Sequence, residues 1–277
     1  MSTLVTDPAL STAAPDVMHV ERVSSLRVLR SEWVKLRSLR STAVTAMAAV
    51  ALMVALGWLF GWGTEREWSE LRPDERASFS PVDTTLAGYY LAQLAVGVLG
   101  VLLVTGEYAT GMIRATFGAV PRRLPVLWAK GAHYGVVTFG LMLVASLVAF
   151  LGGQQLLGPH GTTLSGDGVA RAMVGVAGYL ALIGVFSVAL GFVVRSTAGG
   201  VATLFGLLLV APTLGLLLPA SWREHLLPYL PSNAGASFFS AHPSADGLSA
   251  TAGLLVLVAW VVVALLGAAV LVTRRDA

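Results

Sequence analysis

The chain has 277 residues, of which 56% are hydrophobic and only 12% are charged, and its mean hydropathy is +0.76. Soluble domains carry roughly 25% charged residues, so this composition excludes an ordinary soluble domain and indicates a polytopic membrane protein. The absence of cysteine excludes disulfides, thiolate nucleophiles and Cys-ligated metals. The formal net charge of +3 is weak evidence for a nucleic-acid partner, because basic residues in membrane proteins collect on the cytoplasmic side.

The first forty residues divide into two segments with different hydropathy patterns. Residues 1–19 are small and polar and contain Pro8 and Pro15, which is typical of a disordered tail. In residues 20–40, apolar side chains recur at three- and four-residue spacing with basic side chains largely between them. This periodicity predicts an amphipathic helix that lies in the headgroup layer of the bilayer. Such a helix acts either as a topology anchor alone or also as a brace for a cytoplasmic partner.

Six long segments without Asp, Glu, Lys or Arg follow, and each contains an apolar stretch of about 20 residues. A helix of that length crosses roughly 30 Å of hydrocarbon. The six predicted spans lie within residues 41–64, 84–106, 131–166, 172–194, 196–222 and 247–273. We therefore predict an all-α integral membrane fold with six transmembrane helices, and we treat residues 41–277 as one membrane domain.

A seventh charge-free segment, His225 to Ala245, is not predicted to span the membrane. It contains Pro228, Pro231 and Pro243 together with several polar side chains. Proline removes a helical hydrogen bond, and lipid offers no replacement partner for the freed carbonyl. We predict a folded or re-entrant loop here.

The distribution of lysine and arginine predicts the orientation of the spans. With a cytoplasmic N-terminus, thirteen of the 18 basic side chains fall in cytoplasmic segments and five in outer segments. Cytoplasmic loops carry an excess of Lys and Arg, so both termini are predicted to be cytoplasmic. The first outer loop, residues 65–83, carries six carboxylates and three arginines, which is compatible with this orientation.

The sequence offers little to support catalysis in this chain. It contains no GxxxxGK[ST] loop to hold phosphates, and its five histidines are scattered without ligand spacing, so we predict no cofactor and no metal site. No predicted span carries a lysine or a carboxylate, which disfavours an intramembrane serine protease and a proton- or Na⁺-coupled carrier. Energy for any transport is expected to come from another subunit.

Small residues recur along predicted spans 2, 4 and 5, and they permit close helix approach. They favour packing within one subunit, and the alternative is a dimer seam. The glycines are Gly97, Gly100, Gly175, Gly178, Gly184, Gly191, Gly199, Gly200 and Gly206.

A polar, basic segment at residues 106–130, GEYATGMIRATFGAVPRRLPVLWAK, separates predicted spans 2 and 3. An acidic residue, Gly, Arg, Pro, Arg and Lys follow one another in it, and this order resembles the loop of the type-2 (ABC-2) ABC transporter permeases. SEWVKLRSLRST at 31–42 and YLPSNAG at 229–235 are similar to the actinobacterial branch of that family. Met112 departs from the pattern, since many relatives have Thr there. The ordered set is Glu107, Gly111, Arg114, Pro121, Arg123 and Lys130.

This resemblance implies a multi-pass permease subunit of an ATP-driven exporter in a bacterial plasma membrane. It would form the translocation path with a second permease, as a homo- or heterodimer. Two copies of a separate ABC ATP-binding subunit would dock on a cytoplasmic coupling helix between spans 2 and 3, through the six residues above. ATP and Mg would then be bound by that partner, and this chain would be neither an enzyme nor a nucleic-acid binder.

The residue types in the loop agree with a short helix between two membrane spans. Glu107 is predicted at the inner end of span 2, where Arg114 or Arg123 can neutralise its charge. Thr105 or Thr110 can cap a short helix, and Pro121 can end it. The alternative is a basic inner loop with no docking function, as in any polytopic protein.

Polar side chains within the spans are the candidate substrate path, because an amide or phenol facing lipid is poorly satisfied. In the family the path is lined mainly by spans 1, 2 and 5. Hydrogen bonding between helices of one subunit explains the same residues equally well. The alternative function is a non-transporting immunity or sensor subunit of the same fold. The candidate path residues are Tyr89, Tyr90, Gln93, Thr203 and Thr213.

Overall fold

The computed structural model of the chain describes residues 40–114, 123–241 and 247–274. These residues are predominantly helical and contain no strand. Six helical segments among them are long and apolar enough to cross a membrane, which agrees with the predicted all-α membrane fold. The spans, numbered 1 to 6, are Ala43–Glu67, Pro81–Ala109, Leu124–His160, Val169–Val194, Thr197–Gly215 and Ala250–Arg274. The predicted tail and amphipathic helix at 1–39 lie outside the described residues.

The ends of the six spans alternate between two faces of the molecule. One face, which we call the basic face, carries the described basic residues of the span 2–3 connection, the span 4–5 connection and the end of span 6. The opposite face carries the acidic connection after span 1 and the short helix Pro73–Ala77. Contacts described below join the span ends on each face, so the alternation follows directly from the packing.

Span 3 begins earlier than predicted. The helix runs over Leu124–Leu157, with Pro125 in its first turn, whereas the prediction treated Lys130 as part of the preceding loop. Lys130 is in fact in the second turn of this helix and is buried. A buried lysine inside a span is costly unless it is paired, so its partner is the first question at the basic face.

Span 4, Val169–Val194, is the centre of the bundle. In its most apolar stretch 78% of the residues are buried, against 17% in span 1 and 22% in each of spans 5 and 6. Gly184 packs on the Tyr134 ring of span 3, and Gly191 packs on Val104 of span 2. Because a side chain at either position would meet these neighbours, the small residues of span 4 let spans 2 and 3 approach it closely.

Span 2 consists of two helices with a break between them. The helix Pro81–Leu86 begins at Ser80, whose hydroxyl accepts the Asp83 N–H at 3.2 Å, and the helix Tyr89–Ala109 continues to the basic face. The break at Ala87 and Gly88 lies against span 1. Toward the basic face, Gly97 and Gly200 bring spans 2 and 5 into contact through Leu204 and Val101.

Span 5 is a composite helix. The α-helix Thr197–Phe205 packs against span 2, and it is followed by a π-helical turn, Gly206–Val210, and the short helix Ala211–Gly215. A π-helical turn accommodates an extra residue within a helix. Here it precedes Pro212, whose missing N–H could not have closed a regular α-helical hydrogen bond.

The proline-rich segment before span 6 does not span the membrane. It forms the helix Ala220–Leu226, a 3₁₀ turn Leu227–Tyr229 and the helix Pro231–Phe239, which we together call the return segment. Its last helix is buried, with Gly235 against the Tyr179 ring of span 4. The structure therefore agrees with the prediction of a folded segment at this position.

Hydrogen bonds anchor the return segment on the opposite face. The Asp83 carboxylate accepts the Ala241 N–H at 2.9 Å and the Ser240 hydroxyl at 3.1 Å, and Arg171 donates to the Ser240 carbonyl at 3.0 Å. Spans 2 and 4 are thereby both joined to the end of the return segment.

Candidate functional site

The candidate site lies on the basic face, where the chain passes from the end of span 2 at Ala109 to the start of span 3 at Leu124. Residues 115–122, including the predicted coupling residue Pro121, lie outside the described residues. Residues 112–114 form the beginning of a helical turn, which is the described part of the predicted coupling helix.

An ion pair closes the base of this connection. Lys130 Nζ lies 3.0 Å from Glu107 Oε1, and the side chains of Lys130 and Glu107 are only 5% and 7% exposed. Glu107 is in the last turn of span 2 and Lys130 in the second turn of span 3. In a water-poor environment each charge stabilises the other, and the hydrogen bond adds a fixed geometry.

The structure gives Lys130 the role that the sequence suggested for Arg114 or Arg123. Arg123 stands at the start of span 3 and donates from Nη1 to the Val272 carbonyl of span 6 at 3.2 Å. Arg114 is exposed. The sequence places Lys130 at the far end of the loop from Glu107, and no local pattern indicates that these two side chains meet.

Span 2 ends in a geometry that only glycine adopts easily. Gly111 has a φ of +71°, in the left-handed region, and its N–H donates to the Tyr108 carbonyl at 3.2 Å. Thr110 caps this end, since its hydroxyl donates to the Gly106 carbonyl at 2.9 Å. The Thr110 contact closes span 2 rather than opening the next helix as predicted, and Thr105 lies inside span 2.

The predicted coupling residues thus divide into two groups. Glu107, Arg123 and Lys130 form contacts within the chain. Gly111 and Arg114 are exposed, as is Met112 between them, at 46%. The first group fixes how the turn after span 2 is attached to the spans, and the second group lies at the surface of the basic face.

A further set of polar contacts on the basic face was missed by sequence reasoning. The Thr197 hydroxyl donates to Thr105 Oγ1 at 2.9 Å, which joins span 5 to span 2. The Arg195 guanidinium lies 5.1 Å from the centre of the Tyr108 ring and donates to the Leu271 carbonyl at 3.3 Å. Arg195 ends span 4 with a φ of 56°. The sequence marks Arg195 only as a single charged residue between two long apolar segments.

Two arginines therefore meet the end of span 6. Arg123 and Arg195 donate to carbonyls of consecutive residues, Val272 and Leu271, in the last turn of that helix. The carbonyl end of a helix carries a partial negative charge, so guanidinium groups there are favourable. The connections after spans 2 and 4 are both tied to span 6 in this way.

The candidate path residues of span 2 lie mostly in a buried cluster. The side-chain oxygen of Gln93 accepts a hydrogen bond from the Tyr179 hydroxyl of span 4, and its amide donates to the Tyr90 carbonyl at 3.1 Å. The Tyr89 ring is buried and meets Phe239 of the return segment edge to face, with ring centres 4.6 Å apart. Gln93 and Tyr89 therefore have packing roles in this subunit.

The remaining candidate path residues are exposed. The Tyr90 ring stacks on Tyr89 at 4.2 Å and is 56% exposed. Thr203 and Thr213 are exposed on span 5, and each hydroxyl donates to a carbonyl one turn earlier in its own helix, at 2.8 Å. A threonine bonded in this way needs no further partner, even facing lipid. Within the described residues, no hydrogen bond joins either threonine to the span 2 cluster.

Comparison with known proteins gives no family assignment. No family model and no curated protein sequence matches the chain. The functional interpretation therefore depends on the geometry of the basic face and on the sequence pattern of its connection.

Proposed function

We propose that the chain is the permease subunit of an ATP-driven ABC exporter of the type-2 family. It lies in a bacterial plasma membrane with both termini in the cytoplasm, and the basic face is the cytoplasmic face. The protein pairs with a second permease to form the translocation path. Two ATP-binding subunits, which bind ATP and Mg, dock on the connection between spans 2 and 3.

The observation that supports this proposal best is the division of the coupling residues. Gly111, Met112 and Arg114 are exposed in the turn after span 2, while the buried Glu107 and Lys130 side chains pair at the base of that turn. A basic loop that only fixes the orientation of the spans needs exposed basic side chains and no buried ion pair. Burying one acid and one base beneath it costs desolvation, which is understandable if the loop must transmit movement to the spans.

The experiment is to search the neighbouring genes for an ATP-binding subunit, to purify the chain with it in lipid nanodiscs, and to measure ATP hydrolysis. We expect no hydrolysis by the chain alone and a higher rate in the complex than in the ATP-binding subunit alone. Gly111→Pro should disrupt the turn and Arg114→Glu should invert its charge, and each should lower the stimulated rate several-fold.

Arg223→Glu is the matched control, since Arg223 is an exposed arginine on the opposite face. It should leave the stimulated rate unchanged. Equal rates for natural protein, Gly111→Pro and Arg114→Glu would refute docking at this turn. A complex that assembles and hydrolyses ATP but exports nothing would favour a sensor or immunity subunit instead.

A further inference from the structure

The last two turns of span 2 are joined to three other parts of the chain by directional contacts. Thr105 accepts a hydrogen bond from Thr197 of span 5, Glu107 pairs with Lys130 of span 3, and the Tyr108 ring lies beneath Arg195 after span 4. Apolar contacts have no preferred direction, whereas hydrogen bonds and ion pairs fix distance and angle. The loop is therefore anchored at one well-defined point of the bundle.

The ion pair differs from the other two contacts because it joins the two helices that flank the loop. Glu107 lies just before the end of span 2 at Ala109, and Lys130 follows shortly after the start of span 3 at Leu124. If the loop moves relative to either helix, the distance between Glu107 and Lys130 must change or the two helices must move together. The other salt bridge that joins two spans in the described part of the chain, His160 with Glu65 at 3.7 Å, lies at the opposite face, and its side chains are partly exposed.

The energetics of a buried ion pair argue against a role in stability alone. Removing two charges from water costs about as much free energy as their attraction returns, and an apolar pair of similar volume is often equally stable or more stable. Leu and Met would fill comparable space at Glu107 and Lys130 without the desolvation cost. What an apolar pair cannot supply is a fixed spacing, because it has no preferred angle or register.

The geometry points to the Glu107–Lys130 ion pair as a positioning element that holds the two ends of the loop at one spacing, so that spans 2 and 3 respond to the loop as a single unit. Both side chains are buried, so the pair acts on the loop from beneath it. The consequence for energy coupling rests on the proposed function, but the spacing itself is a property of the chain alone.

The first test uses the absence of native cysteine. Spin labels on Met112→Cys and Leu124→Cys, both exposed and on either side of the loop, report its spacing by electron paramagnetic resonance in nanodiscs. The background carries the natural pair, the apolar pair Glu107→Leu with Lys130→Met, or the exchanged pair Glu107→Lys with Lys130→Glu. We expect a narrow distance distribution for the natural pair, a broad one for the apolar pair and a narrow one again for the exchanged pair.

Thermal unfolding of the same three proteins separates positioning from folding. We expect the apolar pair to unfold at or above the temperature of the natural protein. A natural distance distribution in the apolar pair would overturn the proposal. If neither double variant folds, the pair is needed for stability and the proposal is also overturned. If only the apolar pair fails to fold, a broad distance distribution in the exchanged pair would overturn the proposal.

The second test measures ATP hydrolysis by each protein in complex with the ATP-binding subunit. The apolar pair should assemble into the complex but lose most of the stimulation, and the exchanged pair should recover part of it. Full stimulation by the apolar pair would show that the pair does not contribute to coupling. If the natural protein itself gives no stimulation, the proposed function fails, and the distance measurement still decides the positioning role.

Discussion

Gly88 lies directly against the backbone of Met53, so that a Cβ at Gly88 would overlap the Met53 carbonyl oxygen. This contact is where the interrupted span 2 crosses span 1. Gly57 lies in the same way against the Thr85 carbonyl, on the other side of the break. Two helix backbones can approach this closely only where one residue at the contact is glycine, as at small-residue crossings of membrane helices.

Gly88→Ala is expected to destabilise the protein by about 1 to 3 kcal/mol, because overpacking forces the two backbones apart. The measurement is the free energy of unfolding in mixed detergent micelles. Gly140→Ala in span 3 is the matched control, since nothing lies within 4 Å of a Cβ built there. Alanine is the better helix former, so this variant should be unchanged or more stable by roughly 0.5 to 1 kcal/mol. Equal effects of both substitutions would contradict the close crossing.

The hydrogen bond between Gln93 and Tyr179 should make a measurable contribution to folding. Gln93→Ala leaves the buried Tyr179 hydroxyl without its acceptor, at a cost of about 1 to 3 kcal/mol. Tyr179→Phe removes the donor instead. In a double-mutant cycle the two changes should be coupled by about 0.6 kcal/mol, the average for hydrogen bonds between membrane helices, and at most about 1.7.

Thr203→Val is the matched control for Gln93→Ala, because Thr203 is also a candidate path residue but has no packing role between helices. Its hydroxyl bonds only to its own helix, so stability should stay within about 0.5 kcal/mol of the natural protein. The path prediction for Thr203 then rests on export alone, measured per assembled complex once the substrate is known. Normal export by Thr203→Val would remove it from the path, and zero coupling in the Gln93 cycle would contradict the packing role of that amide.

The sequence predicts the number of spans well because length and hydropathy decide it. A run of about 20 apolar residues has no stable alternative to a buried or lipid-facing helix. The return segment was also predictable, since Pro228 and Pro231 cannot continue a lipid-facing helix. The glycines at 97, 184 and 191 were rightly associated with close packing within one subunit, and the structure identifies what they pack against.

The candidate site was less predictable because its geometry depends on distant pairing. Treating every charge as a span boundary placed Lys130 in the loop, although a lysine can lie inside a span once Glu107 faces it. The contact of Arg195 with Tyr108 joins residues far apart in sequence, and no local pattern encodes it. The π-helical turn Gly206–Val210 in span 5 precedes Pro212, and hydropathy does not register a change of helix type.

The orientation of the basic face can be measured directly. A reporter fused after Ala277 should be found in the cytoplasm, and one inserted beside Asp74 should be found outside, because basic residues are retained on the cytoplasmic side. A third reporter after Ser165, in the exposed connection between spans 3 and 4, should match the one at Asp74. Fluorescent protein and alkaline phosphatase fusions give opposite signals on the two sides. The same signal at Ala277 and Asp74 would refute an odd number of spans, here five, between them.

Gly111 offers a test of the turn after span 2 that does not depend on the proposed docking role. Its φ of +71° is easy for glycine but costs other residues roughly 1 to 2 kcal/mol, so Gly111→Ala should destabilise the end of span 2 by about that amount. Gly106→Ala, one turn earlier and with open space around it, should be neutral or slightly stabilising. The measurement is hydrogen exchange of the backbone amides of Tyr108 and Thr110. The exchange rate should rise in Gly111→Ala and stay unchanged in Gly106→Ala. Unchanged exchange in that variant would mean that the left-handed turn does not hold the end of the span.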